Sequence, residues 1–188
     1  DSVIEGVKLR ENGIKKFILV LGPTLSPELI SQAATHDIAV TISTFEGLVM
    51  MAHARTMPRF HVKIDTGMHR QGFRGEAVPE LVDHIKNGKH FQHALHGVYT
   101  HFATATDARN TKMVVQQTRE FKNAVRQFRL AGIKNFLVHA AATGAVLLGK
   151  QYHFDAVRVG LGLYGLYPTF ALQKEYPRLG LKPVLSWR

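Results

Sequence analysis

The chain has 188 residues, 45% of them hydrophobic, which is enough for one sizeable core and predicts a single globular domain. It has no cysteine, which excludes disulfides, thiolate zinc and thiol nucleophiles and fits a cytoplasmic protein. Twenty-four basic against fourteen acidic residues give a net charge of +10, but the basic residues are scattered. No run of five like charges and no interleaved aromatics mark a nucleic-acid surface, and no apolar run approaches the roughly 18 residues of a membrane span. The chain opens on Asp1-Ser2 without a basic-then-apolar leader, and the absence of a starting methionine suggests a segment of a longer sequence.

In chain order, strand-like runs alternate with helical ones. Val3 to Glu11 reads as a helix that stops at Gly13, and Phe17 to Leu21 as a buried strand closed by Gly22-Pro23. Ser26-Pro27 opens a helix to His36, proline being tolerated in a first turn. Ile38 to Ser43 is the second strand, and Thr44 caps a helix from Phe45 to Arg55. Arg59 to Ile64 is the third strand. The helix Pro79 to Lys86 carries Leu81, Val82 and Ile85 on one face and is stopped by Asn87-Gly88. Leu95 to Thr100 is the fourth strand. Thr111 to Leu130 is the longest helix, with Phe121, Ala124, Val125 and Phe128 at i, i+3, i+4 and i+7. Phe136 to His139 is the fifth strand, a short helix lies near Gly144 to Leu148, and Ala156 to Val159 is the sixth strand.

This alternation predicts an α/β fold with a parallel sheet. About six βα units over residues 1–168 predict a partial (β/α)8 TIM-type barrel, since a closed barrel needs eight strands and about 250 residues. The missing units are expected upstream of Asp1, and residues 169–188 read as an exit segment toward another domain. An open doubly wound sheet fits the same strand count.

Barrel enzymes keep their chemistry just past the carboxyl ends of strands. Those positions hold Lys63 and Arg70, then His101, then His139 and Thr143, then Arg158, Gly160 and Leu161. The cations among them predict one site for an anionic ligand. Gly160-Leu161-Gly162-Leu163-Tyr164-Gly165 matches the dinucleotide fingerprint, but Tyr167-Pro168 stands where a helix should open. Glycine amides after the last strands can instead donate to a phosphate. His90, His93 and His96 are three apart, without the acid or cysteine that a zinc site would add, and read as surface and strand-entry histidines.

Four ordered pieces resemble the bacterial alanine racemases: Lys63 to Phe73, Thr100-His101-Phe102-Ala103, His139 to Ala145, and Arg158-Val159-Gly160-Leu161 with Leu163-Tyr164-Gly165. The likeness runs from Leu9 to Trp187. It implies a pyridoxal 5'-phosphate barrel followed by a β-rich domain, in a cytoplasmic homodimer that interconverts L- and D-alanine for peptidoglycan. It further implies that Arg158 donates to the pyridine nitrogen and that His101 supports Arg158. Thr143 with the amides of Gly160 and Leu161 would bind phosphate, Arg70 would orient the substrate carboxylate, and Lys63 would be carbamylated to hold Arg70. His69 departs from the family's usual glycine, and Ala142 from an asparagine.

The same resemblance places the Schiff-base lysine on a strand outside this sequence and the opposing tyrosine in the partner's second domain. The segment is therefore expected to position cofactor and substrate without supplying the two bases of racemisation. Another amino-acid racemase or decarboxylase of this barrel type, and a non-enzymatic single-domain carrier of the cofactor, are the alternatives.

Overall fold

A computed structural model describes residues 1–109 and 111–185, so the Ser186-Trp187 end of the resemblance lies outside the described residues. The elements are α1 (Val3–Glu11), β1 (Ile18–Pro23), α2 (Pro27–Thr35), β2 (Ile38–Ile42), α3 (Phe45–His53), β3 (Phe60–Lys63) and α4 (Val78–Asn87). They continue with α5 (Lys89–Ala94), β4 (Leu95–Tyr99), α6 (Lys112–Leu130), β5 (Leu137–Ala142), α7 (Thr143–Leu148), β6 (Ala156–Arg158) and α8 (Phe170–Glu175).

The helix starts follow from local chemistry. Ser2, Ser26, Thr44 and Thr169 each sit in extended backbone and accept from the amide three residues on, which satisfies one of the free N–H groups of a first turn. Two short helices, α5 and α8, were not expected. Six residues are too few to display a helical period, and α5 is held by Phe91 and Ala94 packing against the core, α8 by Leu172, which is fully buried.

All six strands pair in parallel in the order β1-β2-β3-β4-β5-β6. Sequential order without a reversal means that every right-handed crossover returns on the same side, so the helices cover one face only. A doubly wound sheet reverses its order at a switch point and covers both faces; the strand order thus overturns the open-sheet alternative. The structure is a partial barrel.

Alternation within the strands sorts side chains between the two faces. Ile38, Val40, Ile42, Phe60, Val62, Val98, Val138 and Ala140 belong to the buried core, together with Ile30, Leu48, Met51, Leu81, Ile85, Phe121, Val125 and Phe128 of the helices. The other parity carries Thr41 of β2, His61 and Lys63 of β3, Tyr99 of β4, His139 of β5 and Arg158 of β6, which contact one another. In a flat sheet β3 and β5 lie about 9–10 Å apart. His61 and His139 nonetheless approach to 2.8 Å, because the sheet is concave on this side.

Candidate active site

The concave face ends in a cleft of about 360 Å³ lined by Leu21, Gly22, Pro23, Lys63, Arg70, Gln71, Tyr99, His101 and Arg158, with Asp1 at its margin. Four residues singled out from the sequence, Lys63, Arg70, His101 and Arg158, therefore share one surface.

Lys63 closes β3 and is only 4% exposed. Burial, and then the neighbouring Arg70 and Arg158 guanidiniums, push its ammonium below the usual lysine range, while Asp65 opposes them. The chain leaves β3 through a tight turn in which the Asp65 carboxylate accepts from the amides of Gly67 (3.0 Å), Met68 (2.9 Å) and His69 (3.1 Å). Phe73 then returns to pair with the end of β3, its amide donating to Lys63 O at 2.9 Å. Gly72, at φ 125°, has to be glycine, since a Cβ there would press on the Asp65 amide. Arg70 stands at the exposed tip of this turn.

Arg158 is the hub. Its Nη1 donates to His139 Nδ1 at 2.6 Å. Its Nη2 donates to the carbonyls of Thr100 (2.8 Å) and Ala140 (3.0 Å) and faces His101 Nδ1 at 3.3 Å. Burial lowers the guanidinium to about 10, partly offset by Tyr99, so it remains a cation at neutral pH. Burial, and after it Arg158, Lys63 and Arg70, push the His101 imidazole down to about 4. His101 is thus neutral, and it accepts from Arg158 through Nδ1.

Tyr99 was not assigned a place in the site from the sequence. Its ring stacks on His139 with centroids 4.8 Å apart and planes 6° apart, with the Arg158 guanidinium carbon 5.0 Å and Lys63 Nζ 5.8 Å from its centroid. Because the Thr41 hydroxyl donates to Val20 O at 2.8 Å, the Tyr99 hydroxyl donates to Thr41 at 3.2 Å. The available signal was polar Thr41, His61, Lys63 and His139 at inward parity in otherwise apolar strands.

Past the ends of β5 and β6, the Thr143 hydroxyl accepts from the amides of Gly160 and Gly162, each at 3.2 Å. A hydroxyl and two glycine amides therefore converge on one point beside the strand that carries Arg158. Gly162 thus joins Gly160 in fixing the Thr143 hydroxyl, and Leu161 between them opens a 3-10 turn. No α-helix opens at this glycine-rich stretch, so the helix that a dinucleotide fingerprint requires is missing. Among the described residues, no cluster of His, Asp or Glu could hold a metal; His90 and His93 lie on α5 and His96 on β4.

The site is thus a cationic cleft without a side-chain carboxylate except Asp1, next to a cradle of hydroxyl and amide donors. This donor set suits an anionic ligand: hydroxyl and amide donors can take a phosphate, and an arginine can take a carboxylate.

Comparison with known proteins agrees with this geometry. Residues 2–168 match the family described as alanine racemase, N-terminal domain. The chain is 37% identical over 192 residues to an alanine racemase of a Nostoc species, covering 98% of this chain and 48% of the relative. It is 37% identical to alanine racemase 1 of Bacillus subtilis, covering 97% of this chain and 46% of the relative. Among solved structures, alanine racemase of Clostridium difficile in complex with cycloserine superposes with a TM-score of 0.81 at 29% identity, over 97% of this chain and 50% of that one. The chain spans about half the length of the relatives it matches. By the extent of the family match, the chain belongs to the alanine racemase N-terminal domain family.

Proposed function

We propose that the full-length protein carrying this segment is an alanine racemase that interconverts L- and D-alanine with pyridoxal 5'-phosphate. The convergence of Lys63, Arg70 and Arg158 on one cleft beside the Thr143–Gly160–Gly162 cradle carries this reading. When bound, the cofactor supplies an electron-accepting ring conjugated to the substrate α-carbon.

Each residue then has a part. Thr143 and the amides of Gly160 and Leu161 hold the phosphate, with the Gly162 amide fixing the Thr143 hydroxyl. Arg158 would offer an N–H to the ring nitrogen while keeping its own proton, which would make the ring a weaker electron sink. His101 and the carbonyls of Thr100 and Ala140 set the plane of Arg158. Arg70 pairs with the substrate carboxylate. Lys63 is suited to carbamylation, because its lowered pKa raises the share of neutral amine that can attack carbon dioxide; an N–C bond forms as one C–O π bond opens, a proton leaves to solvent, and the resulting anion would face Arg70 and Arg158. The two bases and a β-rich domain beyond residues 169–188 come from other parts of the protein. By the same reading the enzyme is a cytoplasmic homodimer serving peptidoglycan synthesis, and no described helix is long and apolar enough to cross a membrane.

The test is to incubate the full-length protein with pyridoxal phosphate and L-alanine and to follow D-alanine. Cofactor retention with turnover of a different amino acid would replace the substrate, and failure to retain the cofactor would end the proposal. Residues 1–188 alone are expected to give no alanine turnover.

A further inference from the structure

The concave face holds more buried imidazole than the proposed reaction uses. His61 is 1% exposed and His139 3% exposed, and His61 Nδ1 lies 2.8 Å from His139 Nε2. His61 Nε2 faces His96 Nδ1 at 3.4 Å. Donor chemistry assigns every proton in this row. Arg158 can only donate, so His139 Nδ1 accepts and its single proton is on Nε2. That proton is donated to His61 Nδ1, which places the His61 proton on Nε2, toward His96. The hydrogen bonds run one way, from Arg158 to His139 to His61, and each imidazole has to be neutral for the row to exist.

Two independent features show that the backbone is shaped around this row. Gly97 of β4 pairs with His61 in register, and a Cβ at Gly97 would overlap the His61 imidazole. The Tyr99 ring lies flat against His139 and is itself fixed through Thr41, which stops the imidazole from turning over. The groups facing the two rings are Arg158, His96, Arg59, Tyr99 and Phe17, none of them acidic, and burial together with these cations pushes His61 down to about 3 and His139 to about 2.

We infer that His139 and His61 are positioning residues whose one-way row of hydrogen bonds fixes the orientation of Arg158 and so decides which N–H it presents to the cleft. The part of this inference that concerns cofactor rests on the proposed function. The tautomers do not.

The experiment uses the full-length protein, with and without pyridoxal phosphate. Nitrogen-15 NMR of labelled histidine should find both rings as the Nε2–H tautomer and neutral from about pH 8 to about pH 5. His61→Leu removes the acceptor for His139 and should weaken pyridoxal phosphate binding about tenfold, whereas His61→Asn puts an oxygen at the Nδ1 position and should stay within about threefold. Gly97→Ala, which displaces the imidazole without changing it, should behave like His61→Leu. Either ring protonated at Nδ1 or titrating near its ordinary value, or equal binding by the Leu and Asn variants, overturns the inference. A protein that shows both expected tautomers yet binds no cofactor would overturn the proposed function and leave the row intact.

Discussion

The side-chain amide of Gln117 donates to the Thr66 hydroxyl at 3.3 Å, which ties the longest helix to the turn that carries Arg70. Thr66 in turn lies 2.8 Å from the Thr100 hydroxyl, and Gln117 Oε1 accepts from the Ala103 amide at 3.0 Å, so one buried glutamine joins the loops after β3 and β4. Gln117→Ala leaves an amide and a hydroxyl without a partner in a buried place, and should destabilise by about 2 kcal/mol. It should also raise KM for the amino acid more than it lowers kcat, because Arg70 loses its support. Unchanged stability in urea would show that the two loops do not depend on this clamp.

Asp65 supports a pH prediction. Burial alone would raise its carboxyl, but the amides of Gly67, His69 and Met68, together with His69, hold it below the usual value. The unfolded chain therefore takes up this proton first as pH falls, so the contribution of Asp65 is complete above about pH 4 and is lost as pH drops through its folded value. Asp65→Asn should flatten that acid limb, and Asp65→Ala, which removes the acceptor of three amides, should destabilise by about 2 kcal/mol at neutral pH. An acid limb equally steep in the Asn variant would reject this account.

The buried histidines act in a higher window. His61 and His139 are protonated in the unfolded chain below about 6.5 but resist protonation in the folded one down to about 3 and about 2. Between these values the unfolded state binds more protons, so stability is complete above about pH 6.5 and declines below it. The slope is on the order of 1.4 kcal/mol per pH unit for each ring. Denaturation midpoints compared at about pH 7 and about pH 5.5 should differ in the wild type and differ by roughly half as much in a His61→Asn variant, which keeps only the His139 share.

The cradle past β5 and β6 depends on a hydroxyl. Thr143→Val should lower pyridoxal phosphate affinity about tenfold, since two glycine amides lose their organising acceptor, and Thr143→Ser should restore most of it. Fluorescence titration of the cofactor measures both; equal affinity in the Val variant would separate Thr143 from the phosphate.

His69 occupies the left-handed region at φ 53°, beside Arg70. Its side chain is exposed, and its ring lies 3.6 Å from Asp65 Oδ2, a solvent-screened pairing of little energy. His69→Gly should therefore stabilise the protein by about 1 kcal/mol and raise its melting temperature by a few degrees. A lower melting temperature would mean that the imidazole, despite its exposure, contributes to the turn.

The repeating strand-helix units, the capped helix starts at Ser26 and Thr44 and the core stripe of α6 were legible in the sequence, because they depend on residues a few positions apart. The strand-end cations Lys63, Arg70 and Arg158 were legible too, since the carboxyl ends of parallel strands share one side. Tertiary structure alone decided between partial barrel and doubly wound sheet, for strand order is a choice among distant pairings that local pattern does not encode. It also decided that the Gly162 amide as well as that of Gly160 meets Thr143, that Gln117 reaches across to Thr66, and that His61 and His139 meet. Each of these contacts needs the curvature of the sheet or the docking of a helix to bring together residues tens of positions apart, and the proton order along the imidazoles follows only once Arg158, which can donate but never accept, lies at one end.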